Sequence, residues 1–131
     1  MDLARVLLAD DHQGVAEAMG EYVAEAFQLV GTVRDGDALL EAAHALKPDV
    51  IVADISMPGM DGLTATRQIH ERLPHTRVIL LTNYGDAAVV RHALDAGASG
   101  FVLKVNAPTE LVEAIHRVVD GGTYVSSAIA V

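Results

Sequence analysis

The chain has 131 residues, a formal net charge of −9 and 51% hydrophobic residues, which fit one folded domain and argue against intrinsic disorder. The absence of cysteine excludes disulfides and thiolate metal sites, and no apolar run approaches the ~20 residues of a membrane-spanning helix. The excess of acidic residues argues against direct binding to a nucleic-acid backbone. We therefore expect an acidic, soluble, cytoplasmic domain.

Short apolar runs alternate with longer segments of helical periodicity along the chain. In chain order, we expect strands at residues 5–9, 29–33, 50–53, 78–81 and 100–103, and helices at residues 13–27, 37–46, 63–73, 86–96 and 108–119. This strict alternation predicts an α/β fold with a parallel sheet covered by helices on both faces. The nearly continuous apolar strands agree, because such strands are buried on both sides.

Polar residues directly follow four of the predicted strands. Asp10 and Asp11 follow the first strand, Asp54 the third, Thr82 the fourth and Lys104 the fifth. Because the carboxyl ends of parallel strands meet at one edge of a sheet, we expect these five residues to converge on a single site.

Three carboxylates at one site repel each other, and Lys104 supplies a single balancing charge. Mg²⁺ suits an incomplete set of oxygen ligands because it keeps several waters, so we predict Mg²⁺ held by Asp10 and Asp11. Carboxylates are known nucleophiles in phosphoryl chemistry, and Asp54 is the best-placed one. Lys104 would then bind the incoming phosphoryl oxygens by charge, and Thr82 would bind them by a hydrogen bond.

Each of these residues also has a structural interpretation. Asp10 and Asp11 alone would fit a solvated turn, and Asp11 or His12 could cap the first helix. Threonine is common at strand ends, and Phe101 could simply pack in the core. The six histidines show no ligand spacing, so we expect them to be solvated. A further acidic residue, at position 61, is expected to cap the third helix rather than to bind a ligand.

Several segments resemble the receiver domain of two-component response regulators. They are LADDH at 8–12, VADISMPGMDG at 52–62, LLT at 80–82 and GFVLK at 100–104. The resemblance spans about residues 4–124. ADDH at 9–12 and AGASGF at 96–101 are most similar to the NarL/FixJ (LuxR-type) branch, whose members usually carry a C-terminal helix-turn-helix.

The resemblance implies a flavodoxin/CheY-like (βα)5 fold, a doubly wound parallel five-stranded sheet with strand order 2-1-3-4-5. It implies that Asp54 accepts a phosphoryl group from a histidine kinase. It also implies Mg²⁺ bound by Asp11, Asp54 and the backbone carbonyl of Ser56, with Asp10 helping through water. The domain would catalyse only its own phosphorylation and dephosphorylation, so we do not expect an enzyme with a separate substrate.

The resemblance further implies a switch made of Thr82 and Phe101, in which the hydroxyl moves toward the phosphate and the ring turns inward. Ser56 and Tyr84 lie at positions where the family tunes dephosphorylation. One departure is Val105, since family members often have proline after the lysine. In the family, the peptide bond between the lysine and the next residue is commonly cis.

We assign residues 1–124 to the receiver domain and residues 125–131 to a tail that starts a linker to an absent DNA-binding domain. Contact with DNA would occur only through that C-terminal helix-turn-helix, and dimerisation would use the fourth and fifth helices. One alternative is a single-domain regulator that acts by protein–protein interaction. Another is an aspartate-nucleophile phosphatase, but that chemistry needs an aspartate where Ser56 stands. Nucleotide-binding glycine motifs are missing.

Overall fold

A computed structural model of the chain describes residues 3–83 and 87–126. The strands are β1 (Arg5–Ala9), β2 (Gln28–Val33), β3 (Val50–Asp54), β4 (Arg77–Thr82), β5 (Gly100–Leu103) and β6 (Tyr124–Val125). The helices are α1 (Gln13–Ala26), α2 (Gly36–Leu46), α3 (Gly62–Arg72), α4 (Ala87–Asp95) and α5 (Ala107–Val119), and a 3-10 turn (Lys104–Asn106) precedes α5. The predicted alternation of strands and helices is confirmed.

The strands form one parallel sheet in the order β2-β1-β3-β4-β5-β6, which confirms the expected order of the first five strands. From β1 the chain goes first to β2 on one side and then to β3 on the other. The order therefore reverses between β1 and β3, and parallel sheets form ligand sites at the carboxyl ends of the strands beside such a point.

The expectation of five strands is corrected by β6, which pairs with the outer edge of β5. The Tyr124 N–H donates to Ser99 O and the Ser126 N–H donates to Phe101 O, each at 3.0 Å. Two residues are too few for a strand pattern to show in the sequence. The boundary expected after residue 124, between the receiver domain and the tail, therefore falls inside β6. The last part of the predicted tail, residues 127–131, lies outside the described residues.

The core has two halves, one on each face of the sheet. In β1, Val6 and Leu8 pack with α1 and α5, whereas Leu7 and Ala9 pack with the residues of α2, α3 and α4. This alternation follows from the two-residue repeat of a strand, and it explains why β1 is apolar on both faces. In the part of the chain that is described, no helix is long and apolar enough to cross a membrane.

Helix ends follow the sequence signals in two clear cases. Asp61 accepts a hydrogen bond from the Thr64 N–H at 2.8 Å and caps α3, as expected. Gly97, after α4, has a φ of +104°, a backbone conformation that favours glycine. His12 occupies the N-cap position of α1, but its side chain makes no capping hydrogen bond.

Tyr124 connects β6 to α5 through its hydroxyl group. Its hydroxyl donates to Glu110 Oε1 at 2.7 Å, and burial together with this hydrogen bond raises the pKa of Tyr124 from 10.0 to about 12. The folded state holds this proton more tightly than the unfolded state. The contribution to stability is therefore complete below pH 10 and is lost as the pH rises toward about 12.

We expect Tyr124→Phe to lower the free energy of unfolding at neutral pH by about 1 kcal/mol and to weaken the decline in stability at alkaline pH. Urea denaturation over a pH series measures both effects. Tyr22→Phe, on the exposed side of α1, is the matched control and should leave the alkaline decline in place. An unchanged profile for Tyr124→Phe would contradict the assigned role of the hydroxyl.

Candidate functional site

The carboxyl edge of the sheet brings together residues from four strand ends. Asp10 directly follows β1, Asp54 and Thr82 are the last residues of β3 and β4, and Lys104 directly follows β5. Asp10, Asp54 and Thr82 are buried. Asp11, Asp54 and Thr82 also line one open depression on the surface, so solvent reaches the site.

Lys104 joins the carboxylates of β1 and β3. Its Nζ donates to Asp54 Oδ2 at 2.7 Å and lies 3.1 Å from Asp10 Oδ2, and its side chain is only 10% exposed. Burial alone would lower the pKa of Lys104, but the hydrogen bonds and charges of Asp54 and Asp10 outweigh it and raise the pKa above 10.5. The lysine is therefore a fixed positive charge at neutral pH.

Backbone groups orient two of the carboxylates. The Ser56 N–H donates to Asp54 Oδ1 at 3.1 Å, so the loop after β3 folds back onto the Asp54 side chain. The His12 N–H donates to Asp10 Oδ1 at 2.8 Å at the start of α1. These bonds hold Asp10 and Asp54 side by side, with Lys104 between them.

His12 contacts this cluster, although its side chain is exposed to solvent as expected. Its Nδ1 lies 3.2 Å from Asp10 Oδ1, 3.1 Å from Asp11 Oδ1 and 3.9 Å from Asp54 Oδ2, while 60% of the side chain is exposed. Ligand spacing along a helix could not reveal this position. The only signal was that the histidine directly follows the acidic pair.

The residues fit a divalent cation. Among the described residues, Asp10 Oδ2 and Asp11 Oδ1 are buried side-chain oxygens that lack a well-directed hydrogen bond, although Lys104 Nζ and His12 Nδ1 each lie 3.1 Å from one of them. One ligand atom from each of Asp10, Asp11, His12 and Asp54 lies within 4.8 Å of the others. Three carboxylates exceed the single charge of Lys104, and oxygen ligands are those that Mg²⁺ prefers. A cation here would bind carboxylate oxygens of this cluster and reduce their mutual repulsion.

The other predicted residues are placed as follows. Ser56 lines the same depression as Asp54, and its backbone carbonyl as a metal ligand stays a prediction. Phe101 is fully buried in the core half that contains α2, α3 and α4, and its movement stays a prediction. Tyr84 lies outside the described residues. No cis peptide occurs in the described residues, so the bond between Lys104 and Val105 is trans.

Gly62, the first residue of α3, lies directly against the backbone of the site. A Cβ atom added at Gly62 would come within 2.6 Å of Asp54 O and 2.8 Å of Ile55 Cα. These are backbone atoms, so relief would require the loop after β3 to move. We expect Gly62→Ala to destabilise the domain by about 2 kcal/mol.

Thermal or urea unfolding measures this effect. The matched control is Gly14→Ala in α1, where an added Cβ meets nothing within 4 Å. That control should be neutral or stabilising by up to about 1 kcal/mol, because alanine is the better helix former. Equal stabilities of the two variants would contradict the close contact at Gly62.

Comparisons with known proteins agree with this geometry. Residues 6–116 match the family model described as response regulator receiver domain. The response regulator protein VraR of Staphylococcus saprophyticus is 36% identical over 115 residues, which cover 86% of this chain and 55% of that protein. The chain thus spans about half the length of the curated relatives it matches.

Solved receiver structures share the whole fold. The signal receiver domain of a response regulator named NarL from Mycobacterium tuberculosis is 35% identical, with a TM-score of 0.86 and coverage of 92% of this chain and 99% of that chain. A LuxR-family regulator from Aurantimonas sp. is 32% identical, with a TM-score of 0.93 and coverage of 98% and 93%. The resemblance to the NarL/LuxR type is confirmed, and the chain belongs to the response regulator receiver family of two-component systems.

Proposed function

We propose that this domain is a phosphorylation-controlled receiver in which Asp54 accepts a phosphoryl group from the phosphohistidine of a histidine kinase. The strongest support for the proposal is the placement of the Asp54 carboxylate. It is buried at a strand end, lies 2.7 Å from the Lys104 ammonium and lines an open depression. Carboxylate oxygens of Asp10 and Asp11 belong to the same group of candidate metal ligands as Asp54.

The chemistry is a transfer to a carboxylate. One Asp54 oxygen forms a bond to phosphorus as the phosphorus–nitrogen bond of the donor breaks, and the electron pair of that bond stays on the donor imidazole. Asp10, Asp11, Asp54 and the Ser56 carbonyl would hold Mg²⁺. When bound, the ion supplies positive charge for the phosphoryl oxygens.

The protein's own residues would bind the new phosphoryl group. Lys104 already contacts Asp54 Oδ2, so its ammonium can reach an oxygen of a group attached to that carboxylate. Thr82 lines the same depression, and its hydroxyl would donate to a second phosphoryl oxygen. The added charge would thereby draw Thr82 inward and couple it to Phe101, which lies on the neighbouring strand β5. Ser56 and Tyr84 would set the lifetime of the phosphorylated form.

The output would be transcriptional. The curated relatives include proteins named as transcriptional activators or regulators, and one similar structure shows RcsB dimers bound to DNA. By analogy, the domain would act in the cytoplasm and control a C-terminal helix-turn-helix that lies outside this chain, with a homodimer as the active form. Its own catalysis would be limited to its phosphorylation and dephosphorylation.

Intact-mass measurement tests the phosphoryl chemistry. The chain is incubated with a small-molecule phosphodonor such as acetyl phosphate, with Mg²⁺ or with a chelator, beside a receiver domain known to react. We expect one added phosphoryl group with Mg²⁺ and none with the chelator. An unchanged mass with Mg²⁺, while the reference domain reacts, would overturn the proposal.

A further inference from the structure

The imidazole of His12 lies inside the acidic cluster. Its Nδ1 is 3.1 Å from Asp11 Oδ1 and 3.2 Å from Asp10 Oδ1, and Asp54 Oδ2 is slightly farther, at 3.9 Å. The backbone holds the residue in place, because the His12 N–H also bonds to Asp10 Oδ1 at 2.8 Å. The main chain of His12 is therefore anchored at the site, while most of the side chain stays accessible.

The two shorter distances are in the range of hydrogen bonds and ion pairs, and they also suit ligands of one metal ion. In an octahedral site with bonds of about 2.1 Å, ligands at adjacent corners are about 3 Å apart and opposite ligands are about 4.2 Å apart. The separations from His12 Nδ1 to Asp10 and Asp11 match adjacent corners, and the separation to Asp54 lies between the two values. One ligand atom from each of the four residues lies within 4.8 Å of the others.

We infer that His12 Nδ1 is a ligand of the divalent-ion site and shifts its preference from Mg²⁺ toward ions that accept nitrogen, such as Ni²⁺ and Co²⁺. Mg²⁺ favours oxygen ligands, whereas imidazole suits later transition metals. The inference rests on the proposed function only in requiring that the acidic cluster binds an ion. His12 thus acts as a specificity-determining residue at the opening of the site.

The test compares two ions in three proteins at one fixed pH. Tag-free parent chain, His12→Asn and the control His44→Asn are titrated with Mg²⁺ and with Ni²⁺ by calorimetry. His44 is an exposed histidine in the last turn of α2. We expect His12→Asn to lose about tenfold or more in Ni²⁺ affinity and less than about twofold in Mg²⁺ affinity, because only the nitrogen ligand is removed. His44→Asn should match the parent chain.

A direct probe of the bond complements the affinities. Pulsed EPR of Mn²⁺ bound to the parent chain should show coupling to a directly bound nitrogen, and His12→Asn should lose it while His44→Asn keeps it. Equal losses of both affinities, an unchanged Ni²⁺ affinity on removing the ring, or no nitrogen coupling in the parent would each overturn the inference. If Mg²⁺ still binds in that case, the proposed phosphoryl function stands. If neither ion binds the parent chain, both fail.

Discussion

Replacing Lys104 by methionine is expected to lower the free energy of unfolding by about 3 kcal/mol when no divalent ion is present. Methionine has a similar length but no charge, so Asp10 and Asp54 would be left buried without the ammonium that now lies 3.1 Å and 2.7 Å from them. The pKa of Lys104 is raised above 10.5, so its stabilising charge is complete at neutral pH and is lost only above that value.

Urea denaturation in chelator and in Mg²⁺ measures this prediction. An ion that binds only the folded state adds stability, so Mg²⁺ should restore part of the loss in Lys104→Met. The control is Lys47→Met, which makes the same chemical change at an exposed residue at the end of α2. Equal unfolding of Lys104→Met and the parent chain in chelator would contradict the role assigned to the ammonium.

Asp54→Asn is expected to reduce phosphoryl acceptance by at least about a hundredfold, because an amide oxygen is a far weaker nucleophile than a carboxylate. The variant should remain folded, since its side-chain oxygen can still accept the Ser56 N–H bond, which measures 3.1 Å in the parent. The readout is the rate of mass increase with acetyl phosphate and Mg²⁺.

Asp61→Asn provides the matched control for this substitution. Asp61 lines the same depression but is exposed and caps α3, and asparagine caps a helix as well as aspartate does. We therefore expect Asp61→Asn to react at the parent rate. A parent-like rate in Asp54→Asn would place the nucleophile on another residue.

The sequence predicted the fold and the meeting of the strand ends because both depend on local patterns. Alternating strands and helices indicate a parallel sheet. The residue that follows each strand must then lie at the carboxyl edge of that sheet. Lys104 accordingly lies within ion-pair distance of both Asp10 and Asp54. Asp61 was recognisable as a helix cap for the same reason, since capping depends on a few neighbouring residues.

The features that the sequence did not predict depend on contacts between distant segments or on how a loop turns. Ser126, which directly follows β6, fastens this segment to the outer edge of β5: its N–H donates to Phe101 O, and its Oγ accepts the Leu103 N–H at 3.1 Å. No periodic pattern in two residues could show this pairing. His12 reaches the cluster because the chain turns after β1 and bonds back to Asp10, a geometry that residue spacing does not encode.

The most direct test of the account is to locate the phosphoryl group after reaction with acetyl phosphate and Mg²⁺. Borohydride reduces an acyl phosphate on aspartate to homoserine, and mass spectrometry of the peptides then identifies the modified position. We expect homoserine at position 54 in the parent chain, formed only when the divalent ion is present. Homoserine at another aspartate, or a phosphoryl group that resists borohydride on a different type of residue, would contradict it.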